Sequence, residues 1–135
     1  MAKDDDRVIL ACEAEWDSWK SDCSGFVKAV AARLGVRVFG NANQLVDFLG
    51  NSPDWRDLGH DHNKARVQAT LGDFDIAGLK DSPHGHVAII VGLPSAGFPV
   101  GYWGRFGSFG KKKAPISLSW RRPALAQVSY FAGSL

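Results

Sequence analysis

The apolar residues of this chain change period at Gly72, and that change constrains the fold class more than any other feature. Before it, apolar positions recur at helical spacing. Val8, Ile9, Cys12, Trp16 and Trp19 predict a helix over Arg7–Trp19. Phe26, Val27, Val30, Ala31 and Leu34 predict a second helix starting near Cys23, with Ser21 and Asp22 as N-cap candidates and Gly35 as a stop. A third helix is predicted from Ala42 to Leu49, with Asn41 and Gln44 spaced as a capping box and Leu45, Val46 and Leu49 on its buried face. Residues 50–63 are polar and rich in turn formers and predict a loop, followed by a short helix over Lys64–Leu71. After Gly72 the pattern predicts strands at Phe74–Leu79, His86–Gly92, Phe98–Trp103, Ile116–Trp120 and Gln127–Phe131, punctuated by Gly, Pro and Ser. Helices first and strands later indicate an α+β fold, with helices packed on a mainly antiparallel sheet.

The length of 135 residues suits one domain, and 45% apolar residues suffice for a core without disulfides. Residues 1–6 are expected to be a solvated tail. Two cysteines are too few for a disulfide framework, and the helical spacing around Cys12 makes it a core residue. The longest apolar run, Val87–Leu93, falls well short of the ~20 residues needed to span a bilayer. No cleaved secretory signal is expected, because the run at Val8–Cys12 is short and Asp4, Asp5 and Asp6 precede it. A membrane partner is therefore not expected.

Charge is distributed unevenly. Residues 1–81 hold all 14 acidic residues and 10 of the 16 basic ones, a sum of −4. Residues 82–135 contain no Asp or Glu and carry Arg105, Lys111, Lys112, Lys113, Arg121 and Arg122. An anionic partner is expected on that side.

Cys23 stands at the predicted first turn of the second helix. Unpaired N–H groups and the helix dipole there ease ionisation of a thiol, and the Cys23 amide itself can support an oxyanion. Asp22 opposes that ionisation unless its carboxylate is engaged in capping. A thiol nucleophile also needs a base. Of the four histidines, His60, His62, His84 and His86, the last begins the strongest strand, His86–Gly92, and a base at the head of a central strand is rigidly held. His84 would share its face only if the strand extended back past Gly85 and Pro83.

Three segments then resemble known sequences. Asp22-Cys23-Ser24-Gly25-Phe26-Val27 resembles the nucleophile segment of the NlpC-type papain-like cysteine peptidases. Leu71-Gly72-Asp73-Phe74-Asp75 is similar to the Gly-Asp turn of that family, and Gly85-His86-Val87-Ala88-Ile89-Ile90 to its base-bearing strand. With Gly40-Asn41-Ala42-Asn43, Val46-Asp47 and Ile76-Ala77-Gly78-Leu79-Lys80, the chain resembles over about residues 8–104 the first family of type VI secretion amidase effectors. The resemblance implies an NlpC-type papain-like fold, one catalytic domain over 1–135, and an antibacterial amidase made without a signal peptide and delivered into the periplasm of a rival bacterium. It implies a substrate in the peptide stem of peptidoglycan, cut between D-glutamate and meso-diaminopimelate. Its implied partners are a secretion apparatus and a cognate immunity protein.

On this reading Cys23 and His86 form a catalytic dyad acting through a thioester, with no metal or cofactor. Asp22, Ser24, His84 and Tyr102 are the substrate-binding candidates. The strand after the histidine offers no Asn, Gln, His or carboxylate to orient the imidazole. The backbone carbonyl near Trp103 is the expected orienter, with Gln127 second, and the second oxyanion donor is unassigned. Some members of the family carry a disulfide between the first helix and the C-terminus, but Cys12 has no C-terminal partner here, so stability should not depend on oxidation.

Two other readings compete. His60-Asp61-His62 and His84-Gly85-His86, with Cys23, offer ligands for a zinc-dependent hydrolase, although the second close cysteine pair usual in structural zinc sites is absent. The segment Gly101–Lys113 interleaves aromatics, glycines and cations, as a single-stranded nucleic-acid module would. A net charge of +2 is low for a dedicated nucleic-acid binder, so the same segment is also read as lining a substrate groove where cations meet carboxylates.

Overall fold

The computed structural model describes residues 6–94 and 97–135. Residues 1–5 of the expected tail lie outside this range, and Asp6 caps the first helix through bonds from the Val8 and Ile9 amides. Three helices come first: α1 (Arg7–Trp19), α2 (Cys23–Arg33) and α3 (Ala42–Asn51). Asp22 caps α2 by accepting from the Gly25 amide, and Asn41 and Gln44 form the complete capping box on α3. The remaining elements are β1 (Trp55–Gly59), α4 (His62–Thr70), β2 (Phe74–Leu79), β3 (His86–Val91), β4 (Val100–Trp103), β5 (Lys111–Pro115), a 3₁₀ turn at Ile116–Leu118, α5 (Arg122–Leu125) and β6 (Ser129–Gly133). Among the described residues no helix is long and apolar enough to cross a membrane.

The six strands form one antiparallel sheet in the order β1-β6-β2-β3-β4-β5. Both faces of its centre are buried, which explains the unbroken apolar run of β3. Val87, Ile89 and Val91 join the core under α1, α2 and α3, whereas Ala88 and Ile90 join a second core with α4 and the C-terminal segment. Cys12 is fully buried in the first of these cores, and both cysteines are free thiols.

Several elements depart from the sequence reading. The expected loop 50–63 contains β1, whose Trp55 packs on Phe74 with ring centroids 5.7 Å apart. β1 is an edge strand paired to β6, more than seventy residues later in the chain. The lysine tip forms the other edge, β5, where exposed Lys111–Lys113 disfavour pairing with a further chain. The strand expected at Ile116–Trp120 is instead a 3₁₀ turn. Ile116 and Trp120 are both buried, and the Ser119 and Trp120 amides both donate to the Ile116 carbonyl. α5, with Pro123 in its first turn, displaces the last strand to Ser129–Gly133.

Candidate active site

Cys23 opens α2 at the point where that helix meets the start of β3. Its neighbour Gly25 has no room for a side chain: an added Cβ would lie 2.5 Å from Asp22 Oδ2 and 2.6 Å from the Trp19 ring. The cap carboxylate therefore closes over the helix start, and Ser24 Oγ donates to it at 3.3 Å. Opposite, Gly104 lets the end of β4 approach the α1–α2 turn, where its Cβ would lie 2.3 Å from the Trp19 carbonyl. The Arg105 and Gly110 amides then donate to the Lys20 carbonyl, at 3.0 and 2.7 Å. These contacts carry Arg105 and Phe106 to the rim of the nucleophile.

Two adjoining cavities meet at Cys23. The smaller, about 100 Å³, is lined by Asp22, Cys23, Ser24, Asn43, His84 and Phe106 among others. The larger, about 310 Å³, includes Cys23, His84, His86, Arg105, Phe106 and Ser119 in its wall. The structure therefore brings the expected nucleophile and the expected base to one cavity, across 63 residues of chain. Asp22, Ser24 and His84 also reach these walls. His84 lies outside β3, which begins at His86, and its ring sits 5.5 Å from that of Phe106. Asn43 pins the loop that carries His84, exchanging bonds with the Asp81 backbone at 2.8 and 3.1 Å.

Tyr102 does not join them. It is fully buried, and its hydroxyl donates to Glu13 Oε2 at 2.5 Å on the α1 side of the sheet. The Trp103 carbonyl accepts the Trp16 indole N–H at 3.0 Å, so it is engaged by α1. Gln127 is exposed in the turn before β6, its amide donating to Ala124. The group on the imidazole is one the sequence reading overlooked: His86 Nε2 lies 2.6 Å from Ser119 Oγ. The Trp120 ring packs on His86 at 4.9 Å between centroids. Arg105 Nη2 donates to the Ser119 carbonyl at 2.6 Å and to its Oγ at 3.2 Å. A serine oxygen has two acceptor lone pairs. With Arg105 donating into this oxygen, the Ser119 hydroxyl can either accept from an Nε2–H or give its own proton to Nε2.

The electrostatics differ from those of a preformed thiolate–imidazolium pair. Burial raises the Cys23 thiol above its ordinary value. Hydrogen bonding from the Val87 amide lowers it, Asp22 raises it, and the Ser24 amide and Arg105 lower it again. Burial therefore outweighs the lowering by these two amides and by Arg105. His86 is pushed down to about 3, first by burial and then by the Arg105 charge. Both shifts favour the neutral forms.

The other histidines stand elsewhere. His60 Nδ1 meets the Val128 carbonyl at 2.8 Å and His62 Nδ1 meets the Tyr130 hydroxyl at 2.5 Å, so neither pairs with His84 and His86. Among the described residues no group of three or more His, Cys, Asp or Glu side chains is placed to hold a metal ion. In the Gly101–Lys113 segment, Tyr102 and Trp103 are core, and Lys112 pairs with Glu13 at 3.0 Å. This leaves Phe106 and Phe109 as its exposed aromatics.

No family model matches the chain. Peptidoglycan amidase Tse1 of Pseudomonas aeruginosa (strain PAO1) is similar to it, with 35% identity over 144 aligned positions that cover 97% of this chain and 92% of that protein. Identity at that level across nearly the whole of both chains reflects common descent, and the chain belongs to the type VI secretion amidase effector family.

Proposed function

We propose that this protein is a cysteine amidase that cleaves the peptide stem of bacterial peptidoglycan, at the bond between D-glutamate and meso-diaminopimelate, as an antibacterial effector. The observation that carries the reading is the shared cavity of Cys23 and His86, with Ser119 on the far nitrogen of the imidazole. The similarity to peptidoglycan amidase Tse1 supports the substrate class. The α+β architecture, helices on an antiparallel sheet, agrees with an NlpC-type papain-like fold.

Because both shifts favour the neutral forms, His86 acts as a general base during attack. Its Nδ1 takes the Cys23 proton as the sulfur bonds to the amide carbonyl carbon. The carbonyl oxygen becomes an oxyanion beside the Cys23 amide, in the first turn of α2 where N–H groups lack intrahelical acceptors. The carbon–nitrogen bond breaks, and the imidazolium returns its proton to the leaving amine. Water then attacks the thioester with His86 again accepting a proton, and the thiol is restored. Ser119 is the positioning residue that holds the Nε2–H tautomer, a role usually filled by a carboxylate or amide. These steps use no metal or cofactor. A secretion apparatus that delivers the enzyme into the periplasm of target bacteria, and an immunity protein that blocks the cavity, complete the reading.

Mass spectrometry of purified peptidoglycan fragments after digestion tests it. New termini at D-glutamate and diaminopimelate are expected, and none with a folded Cys23→Ala variant. Full activity in that variant would remove Cys23 from the reaction.

A further inference from the structure

We propose that Arg105 reads a free carboxylate on the substrate, placed next to the scissile amide, and so sets the enzyme's preference between acidic and amidated stems. This rests on the reading of Cys23 and His86 as the reacting pair and adds a specificity residue to it.

Arg105 lines the same cavity as Cys23 and His86. Its backbone is tied to the Lys20 carbonyl at 3.0 Å, and its Nη2 to Ser119 at 2.6 and 3.2 Å. The guanidinium is thus fixed at one end, and among the described residues its Nε and Nη1 donors have no protein acceptor. It has no ion-pair partner among those residues either, in keeping with the absence of Asp and Glu from 82–135. Of the carboxylates around these cavities, Asp22 accepts from the Gly25 amide at 3.0 Å and the Ser24 hydroxyl at 3.3 Å, Asp81 accepts from the Ser82 amide at 2.8 Å, and neither forms an ion pair with Arg105. A half-buried, pre-oriented guanidinium without a counterion suits an incoming carboxylate. A glutamyl residue that gives one carboxyl to the scissile amide keeps the other as a carboxylate a few atoms away. Binding there would also neutralise the charge that depresses His86, so the base would strengthen when the correct substrate arrives.

The test uses two synthetic stem peptides that differ only at the glutamyl residue, free acid against primary amide. Wild-type enzyme is expected to favour the acid in kcat/KM by about tenfold or more, the usual scale for one charge-assisted hydrogen bond. Arg105→Gln should bring the ratio close to one, with Arg105→Lys between. In parallel, calorimetry on the full chain carrying Cys23→Ala should show tighter binding of the acid, with a gap that shrinks as salt is added. Equal wild-type kcat/KM, or equal binding, for the two peptides would overturn the proposal. So would an Arg105→Gln variant that loses both activities in the same proportion, because Arg105 would then serve only to hold Ser119. Failure to cleave either peptide would count against the proposed reaction, while the binding measurement would still decide the role of Arg105.

Discussion

His86 Nε2 and Ser119 Oγ lie 2.6 Å apart, although 33 residues separate them in the chain. Arg105 holds the same serine at its Oγ and its carbonyl. The imidazole is therefore steadied by a hydroxyl backed by a cation, not by a carboxylate. Ser119→Ala should reduce kcat by about 10- to 100-fold while changing KM little, since it disturbs base alignment more than binding. Ser119→Thr keeps the hydroxyl and should recover most of the loss. Steady-state kinetics on a defined stem peptide, with circular dichroism to confirm folding, checks both.

On the proposed mechanism, the low proton affinity of His86 sets the acid limb of the rate profile. A histidine at its ordinary value would charge and lose its function as a base between pH 7 and pH 5. Held down to about 3, His86 stays neutral over that interval. Activity in kcat/KM should persist below pH 5 as long as the protein stays folded. Removing the nearby charge with Arg105→Gln should move the acid limb to higher pH. Initial rates across pH, at constant ionic strength, measure the shift.

Asp75 lies fully buried in β2, and neither carboxyl oxygen has a hydrogen-bond partner among the described residues. Burial, then the charge of Asp73, raises it to about 8, with Arg56 opposing. Its folded-state value lies above its unfolded one, so the folded chain holds the proton more tightly. Stability from this group is full at acid pH and falls as pH rises towards about 8. Asp75→Asn should flatten that fall in urea titrations at successive pH values. Asp75→Leu should stabilise the protein by about 1–3 kcal/mol at pH 8, because it removes an unpaired buried carboxyl.

Cys12 is fully buried and Cys23 lines the cavity, and neither is bonded to the other. The thermal unfolding midpoint should therefore be the same with and without reductant. Cys12→Ser should lower stability by about 1–3 kcal/mol by placing a hydroxyl in an apolar core. Differential scanning calorimetry reads both outcomes.

Local chemistry made much of the molecule legible in one dimension. Helical spacing predicted α1, α2 and α3, and Asp22, Asn41 and Gln44 supply the caps their positions suggested. The apolar run at His86–Gly92 predicted the central strand. The elements that were missed have non-local causes. β1 and β5 are edge strands, polar on their free sides and defined by partners distant in sequence. Ile116 and Trp120 sit four residues apart, so a turn as well as a strand satisfies their burial, and packing selects the turn.

By itself the sequence predicted the starts of α1, α2 and α3 and the central strand, and it singled out Cys23 and His86 as candidates. Caps, periodicity and a thiol at a helix N-terminus are properties of neighbouring residues. Only the tertiary structure decided what surrounds that pair. Ser119 was a serine in an apparent strand until the 3₁₀ turn brought it to His86, and Tyr102 left the candidate site because β4 directs it to Glu13. Tertiary packing also reversed the electrostatic expectation for Cys23, because desolvation depends on everything packed around the sulfur and not on the helix that carries it.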